Sequence, residues 1–391
     1  LSEHLRRDTF KTLYRRDLTL ASEALSELGP ERGAVILSDM SSQEISLILQ
    51  ELDPDDAADF VADLPNELQE EILGAMREKE ASEVEDLLQY PEQTAGRIMS
   101  PKVFSLEEES TVEEAIRELQ DAGDLEMVFY LYVVDERRHL VGVVSLRRLL
   151  LVATETPLQR IMTTDLISAR VDTDQEEVAQ HVASYNLLAI PVVDEENKLA
   201  GIITVDDVID IIKDEATEDI YRLAGVSGDE HVFSSARDSL QKRLPWLAVN
   251  LATATMAAFV VRAFQATIDQ VVVLAVLMTI VASMGGIAGS QTLTLVIRGM
   301  AVGQISGANV GWLLNREFLS GVLNGLLWAL VVATAAVLWF NDWLIGAVIA
   351  AALVINLVAA ALVGTVLPLF LKSRNIDPAL AGSVILTTVT D

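Results

Sequence analysis

The 391 residues include no cysteine, which excludes a disulfide framework and any thiolate metal site. Positive charge is scarce: 28 Lys and Arg stand against 58 Asp and Glu, a formal net charge of −30. A chain this acidic does not neutralise phosphates, so nucleic acid is not an expected partner. No grouping of nucleophile, base and orienting residue is visible, so no enzymatic activity is expected. A charged-then-apolar secretory leader is missing as well.

What is present is divided unevenly. Residues 241–391 hold seven bases (Lys242, Arg243, Arg262, Arg298, Arg316, Lys372, Arg374) and five acids (Asp269, Glu317, Asp342, Asp377, Asp391), a net of +2. Residues 1–240 therefore carry 21 bases against 53 acids, a net of −32. An acidic soluble half is joined to an apolar half, and each is read separately.

A transmembrane helix needs about 20 mostly apolar residues. Four stretches qualify, roughly 244–268, 270–297, 318–340 and 343–371. A fifth begins near Pro378, but 14 residues from there to Asp391 reach only about 21 Å at about 1.5 Å each. With Leu1 in place of Met, this leads us to expect a sequence trimmed at both ends, with the fifth span continuing. Lys242/Arg243, Arg298/Arg316 and Lys372/Arg374 are separated from one another by two crossings each. The positive-inside rule then places residues 1–240 in the cytoplasm of a multi-pass protein of the cell membrane. A mere anchor would need only one span.

Asp377 and Asp391 are 14 positions apart, so on one helix they lie within about 40° of a common face. Asp377 would sit at the cytoplasmic mouth and Asp391 deep in the bilayer, where a carboxylate costs at least about 2.5 kcal/mol and usually faces a water-filled path. Thr387, Thr388 and Thr390 surround it with small polar groups, which favours a conduit over a cap at the far surface. Gly285, Gly286 and Gly289, followed by Ser290, Gln291, Thr292 and Thr294, fit either close helix packing or a lined pore. The fourth span repeats the theme from Asn356 to Pro368.

In the acidic half, LYVVDERRHLVGVVSLRRLL (131–150) matches AIPVVDEENKLAGIITVDDVI (189–209) when shifted by 59. Upstream, GRIMSPKVFSLEEESTVEEA (96–115) echoes QRIMTTDLISARVDTDQEEV (159–178). Each unit reads as short strand, helix, two strands, helix, and the pair resembles a tandem CBS domain. That resemblance implies adenine-nucleotide binding at a G-h-h-[ST]-x-x-[DN] turn. The second repeat supplies Gly201, Thr204 and Asp207; in the first, Gly142 and Ser145 are followed by Arg148 instead of an acid. The resemblance leaves ATP as a candidate ligand at Gly201 and Thr204 of the second repeat.

Residues 1–95 read as a stack of short helices, with breaks at Asp53-Pro54 and Leu64-Pro65. After the second repeat, TVDDVIDIIKDEATEDIYRLAGV (204–226) places Asp207, Asp210, Asp214 and Glu218 within about 80° on a helical wheel. Val208, Ile212, Ala216, Ile220 and Leu223 take the other side, and Glu215 and Asp219 add further charge. Like charges one turn apart repel, and only Lys213 and Arg222 offer local relief. The stripe is either a solvated face or a site for cations. Its all-oxygen donors, with neither Cys nor His, indicate Mg2+ or Ca2+ rather than zinc.

These features in this order resemble the MgtE magnesium channels, most specifically in VDTDQEEV (171–178), TVDDVIDIIKDEATEDI (204–220), GGIAGSQTLTLVIRG (285–299) and LVGTVLPLFLKSRNIDPAL (362–380). The resemblance implies a homodimer around a central pore in which Asp391 of each chain holds hydrated Mg2+, and a connecting "plug" helix held shut by bound Mg2+. The matching cytoplasmic acids are Glu176, Asp207, Asp210, Glu215, Glu218 and Asp219, with Asp377 at the inner mouth and Glu23, Asp55 and Asp59 in the helical domain. The chain departs from the family's glycine motif at Ile287 and Ser290, at Ser383 in the fifth helix, and at Asn186 in the second repeat.

The expected architecture is thus multidomain: an acidic all-α domain (1–95), two α+β CBS repeats (96–158 and 159–212), a connecting helix (213–241) and a five-span pore domain (242–391). The expected function is passive, voltage-driven Mg2+ uptake closed by cytoplasmic Mg2+. The alternative is a nucleotide-sensing, CBS-regulated divalent-cation transporter, with proton coupling through Asp391.

Overall fold

The computed structural model describes residues 3–121, 129–226, 236–374 and 376–390. They fall into two compact units, Leu1–Ile212 and Lys213–Asp391.

The first unit opens with seven short helices: α1 (Glu3–Tyr14), α2 (Leu18–Ser26), α3 (Gly29–Leu37), α4 (Ser42–Leu49), α5 (Pro54–Ala62), α6 (Asn66–Ala75) and α7 (Glu78–Leu88). Local chemistry sets their starts. The Asp17 side chain accepts the Leu20 N–H ahead of α2, and Ser41 and Glu44 cap α4 reciprocally. Pro54 opens α5, where its missing N–H costs nothing. The breaks expected at Asp53-Pro54 and Leu64-Pro65 are where α5 and α6 begin.

A short α8 (Ala95–Ile98) leads into the repeats. The first comprises β1 (Ser105–Glu107), α9 (Val112–Asp121), β2 (Tyr130–Val134), β3 (Leu140–Ser145) and α10 (Leu146–Leu149). The second comprises β4 (Ala169–Arg170), α11 (Gln175–Tyr185), β5 (Ala189–Val193), β6 (Leu199–Thr204) and α12 (Val205–Leu223). In both, the first strand runs parallel to the second, which pairs antiparallel with the third. Each repeat's leader crosses to the other: Ser100 bridges Ile202, and Thr163 bridges Val143. Gly201 gives room to Met99 and Gly142 to Met162, since a Cβ would lie 2.7 Å and 2.5 Å from their sulfurs. The α4, α5 and α7 core residues Ile48, Ala57, Val61 and Val84 join Val178, Ile190, Ile203 and Val208 of the second repeat in one apolar cluster. That shared core sets α5 beside the start of α12.

The second unit holds α13 (Ala236–Ala263), α14 (Gln265–Gln270), α15 (Val273–Ala301), α16 (Val310–Phe340), α17 (Trp343–Ser373) and α18 (Pro378–Thr390). Four of these, over Ser239–Ala263, Val273–Ala301, Val310–Phe340 and Trp343–Ser373, are long and apolar enough to cross a membrane. The first long helix ends at Ala263, within the apolar run expected to reach 268, and after Phe264 the chain resumes as the short helix α14. Asn341 (φ 51°) and the Asp342 cap on Leu344 N–H close the α16–α17 hairpin.

Candidate functional site

The first unit brings two acidic helix starts together. Asp55 and Asp56 occupy the first turn of α5, and Asp206 and Asp207 the first turn of α12, positions that favour carboxylates. Asp207 Oδ2 accepts the Thr204 hydroxyl (2.6 Å) and backbone N–H (3.3 Å). Burial pushes the Asp207 carboxyl up to about 6, with the Asp206 charge adding to the effect and the Thr204 bonds opposing it. Asp55 Oδ1 is sealed from solvent and has no hydrogen-bond partner. Burial, then the charges of Asp207 and Asp56, hold that carboxyl well above its usual range.

The surrounding groups extend the cluster. Burial raises Asp56, helped by Asp53, Asp206 and Asp210 and opposed by the Ser26 hydroxyl at 2.5 Å. Asp59 rises to about 6 through burial against the pull of Arg97, although 48% of its side chain stays open. Screening through that open half makes Asp59 a weaker case than Asp207. Arg97 is 3% exposed, donates to the Ala58 carbonyl (2.8 Å) and lies 3.5 Å from Asp59. Of the other expected residues, Glu23 stands exposed on α2, and Glu176 on α11 accepts from Gln180 at 3.2 Å.

The second unit brings together another set. Arg222 pairs with both Glu218 and Asp377. Asp219 is raised by burial and then by Asp377 and Glu215, against Arg222 and Arg298. Asp377 lies just ahead of α18 rather than within it, and its Oδ1 caps the Ala379 N–H at 2.8 Å. The apolar side expected along α12 is buried only at its start, at Val208 and Ile211; Ile212 and Ile220 are exposed.

Among the described residues, no group of three or more His, Cys, Asp or Glu side chains is placed to hold a metal ion. The pairs that are present fit Mg2+ nonetheless. That ion keeps several waters and takes one or two carboxylates, and Asp55 offers a buried oxygen with nothing else to bind. A recess of about 350 Å3 lined by Leu330, Ala333, Val337, Trp343 and Gly346 carries no charge and takes no part in this.

In the membrane segments, Asp391 lies outside the described residues. Just before it, Thr390 is buried, and α18 packs on the glycines of α15: a Cβ at Gly289 would lie 2.6 Å from Leu386 Cδ1. Ser290, Gln291 and Thr294 stand exposed, whereas Thr292 turns inward and donates to Glu317 Oε2 at 3.3 Å. Glu317 is only 6% exposed, and sequence reasoning missed it. An acid within the 31-residue apolar helix α16 was the signal that marks it.

In the second-repeat turn expected to take a nucleotide, Gly201 is buried and the Thr204 hydroxyl donates to Asp207. In the first repeat, the Arg148 N–H merely caps onto Ser145 Oγ at 3.3 Å.

An acid-rich helical domain, a pair of CBS-like repeats and several helices able to cross a membrane define a multi-pass membrane protein. The MgtE family model, described as a divalent cation transporter, matches residues 278–391. The MgtE intracellular N domain matches 1–93, and CBS domains match 95–155 and 158–214. The chain is 34% identical over 371 residues to the magnesium transporter MgtE of Bacillus subtilis, covering 95% of this chain and 82% of that one. It is 35% identical over 377 residues to that of Thermus thermophilus, covering 95% and 84%. Among solved structures, the cytosolic domain of the Mg2+ channel MgtE in complex with ATP aligns with a TM-score of 0.50 and 39% identity. That alignment covers 54% of this chain and 86% of that one. The soluble part of a magnesium transporter aligns at 0.51 and 34%, covering 55% and 84%. This chain belongs to the MgtE family.

Proposed function

We propose that this protein is a homodimeric channel that admits Mg2+ down the membrane potential and closes when cytoplasmic Mg2+ rises. In this reading α18 begins a fifth span, Asp391 of each chain faces the pore, and Asp377 stands at its inner mouth with residues 1–240 in the cytoplasm. The potential contributes about 2.3 kcal/mol per charge per 100 mV, hence about 4.6 for a divalent ion. The names of the relatives support Mg2+ as the substrate.

Asp55, Asp56, Asp59, Asp207 and Asp210 hold one regulatory region, to which the family resemblance also assigns Glu23 and Glu176; Glu215, Glu218, Asp219 and Asp377 hold another. A bound divalent cation supplies neutralisation of their charge. Left uncompensated, carboxylates packed this closely repel, which favours an arrangement in which α12, the plug, is released and the pore opens. The observation that carries the reading is the sealed, unpartnered Asp55 Oδ1 beside the Asp207 charge. A single domain gains nothing from such a group, because an unpaired buried carboxylate oxygen costs stability.

The test is Mg2+ uptake by the full-length protein in vesicles. Asp391→Ala is expected to abolish uptake. Mg2+ on the cytoplasmic face should slow the wild type far more than Asp55→Asn; equal slowing of the two would rule out Asp55 as a sensor.

The Gly201–Thr204–Asp207 turn supports a second, compatible role, binding of an adenine nucleotide by the second repeat; a cytosolic relative was solved in complex with ATP. Titration calorimetry with ATP, with and without Mg2+, should give one site per chain. Thr204→Val should weaken it about tenfold, the loss of one well-placed hydrogen bond. Two equal sites per chain would count against the asymmetry created by Arg148.

A further inference from the structure

Asp53 stands at the N-cap of α5, where an aspartate side chain ordinarily accepts a backbone N–H of the first helical turn. It makes no such bond. Its Oδ1 instead accepts from Lys102 Nζ at 2.8 Å, 49 positions further along the chain. The Lys102 and Asp53 side chains are 40% and 42% exposed, and a pair so open to water contributes no more than the cap it displaces. Stability of the fold alone therefore does not select this pairing.

Lys102 is held in place by the segment that leads to it. Two residues earlier, Ser100 and Ile202 of β6 exchange backbone hydrogen bonds at 2.8 and 3.0 Å, and Met99 fills the space that Gly201 leaves. β6 ends at Thr204, and α12 follows with Asp206 and Asp207 in its first turn. A segment clipped to the second repeat thus carries an ammonium to the start of α5. There its charge acts on Asp53, on Glu83 of α7 and on Asp55. Asp55 is the carboxylate whose Oδ1 is sealed and has no partner. A monovalent cation that is part of the chain is therefore present where the proposed function places a divalent one.

We propose that Lys102 is a tethered counter-cation that competes with the regulatory divalent cation and sets the Mg2+ concentration at which the Asp55 region fills. The inference rests on the reading of Asp55 and Asp207 as holders of that ion. With no metal bound, the ammonium offsets part of the repulsion among the acids. An arriving divalent cation meets a like charge that the chain cannot release, so it binds more weakly than the acids alone would hold it.

Hydrogen exchange of the full-length protein, read by mass spectrometry on peptides covering α5 during a Mg2+ titration, reports on this joint. Lys102→Met removes the charge while keeping the apolar stem, and Lys102→Arg keeps the charge. The Mg2+ concentration for half-maximal protection should fall about two- to fivefold in Lys102→Met, the effect of one partly exposed charge, and stay near wild type in Lys102→Arg. Without Mg2+, α5 of Lys102→Met should exchange faster than in the wild type. Lys102→Gln serves if the methionine variant folds poorly. A half-maximal concentration unchanged or raised on removing the charge would overturn the proposal and leave an ordinary surface ion pair. Asp55→Asn run in parallel separates the two readings: protection at the wild-type concentration there defeats the assignment of the ion to Asp55. A raised concentration in Asp55→Asn together with a wild-type one in Lys102→Met defeats only the competition.

Discussion

Arg222 of α12 is paired with Asp377, 155 positions further along the chain, in the turn that leads into α18. The same guanidinium holds Glu218 one turn earlier on its own helix, and Asp377 caps the first turn of α18. A tethered cation thus sits among carboxylates that the proposed function assigns to a divalent ion.

Replacing that tethered charge should make the protein depend more on added metal. In Arg222→Gln, Glu218 and Asp377 lose their shared partner, and the metal-free protein should be destabilised by about 1 kcal/mol, as for a partly exposed pair. Thermal melts with and without Mg2+ should show a lower metal-free melting temperature, a larger rise on adding Mg2+, and a half-effect at lower Mg2+ than in the wild type. An unchanged Mg2+ response would mean that Arg222 and the ion do not share ligands.

Acid should replace Mg2+ as a stabiliser of the first unit. Burial pushes the Asp207 carboxyl up to about 6 and holds that of Asp55 well above the ordinary carboxylate range. A carboxyl raised on folding contributes stability that is full below its unfolded value near 4 and is lost as pH rises through its folded value. Without divalent cations, the melting temperature should therefore rise as pH is lowered from 7.5 to 5.5, and Mg2+ should shrink that difference. Asp55→Asn, which removes the buried charge while keeping the shape, should raise metal-free stability at pH 7.5 by about 1–3 kcal/mol. It should also flatten the pH dependence.

Two glycines in helices should respond in opposite directions. Gly364 packs where a Cβ would meet the Gly289 carbonyl oxygen at 2.8 Å and Thr292 Cβ at 3.1 Å, so Gly364→Ala must push α17 from α15. A cost of about 1–3 kcal/mol is expected. Gly74 in α6 has nothing within 4 Å, and Gly74→Ala should stabilise by about 0.5–1 kcal/mol through lower chain entropy. Denaturation of the purified protein in detergent checks both.

Elements governed by local pattern were legible in the sequence. The strand–helix–strand–strand–helix order of both repeats follows from their alternating apolar residues. The helix starts at Pro54 and Asn66 follow from proline, and the four long spans from hydropathy. The acid stripe of α12 was legible for the same reason. What the sequence hid depends on residues distant along the chain. Asp56 and Arg97 carried no signal until α5 was packed on the second repeat. Arg222 read as local relief within its own helix, whereas it reaches Asp377 across the fold. Periodicity put an apolar side on α12 as far as Leu223, yet Ile212 and Ile220 are exposed in the single chain because burial depends on neighbours rather than spacing. Phe264 ends a helix without proline or glycine, which composition cannot reveal. Asn356 was visible only as one polar residue in an apolar span, whereas its Nδ2 donates to the Val281 and Thr390 carbonyls.

Open probability recorded in membrane patches against internal Mg2+ tests the gating account most directly. Wild-type channels should close as internal Mg2+ rises, while Asp207→Ala/Asp210→Ala/Glu218→Ala should stay open at concentrations that shut the wild type. If the triple variant closes at the same Mg2+ concentration as the wild type, the acids of α12 do not sense the ion and the account is wrong.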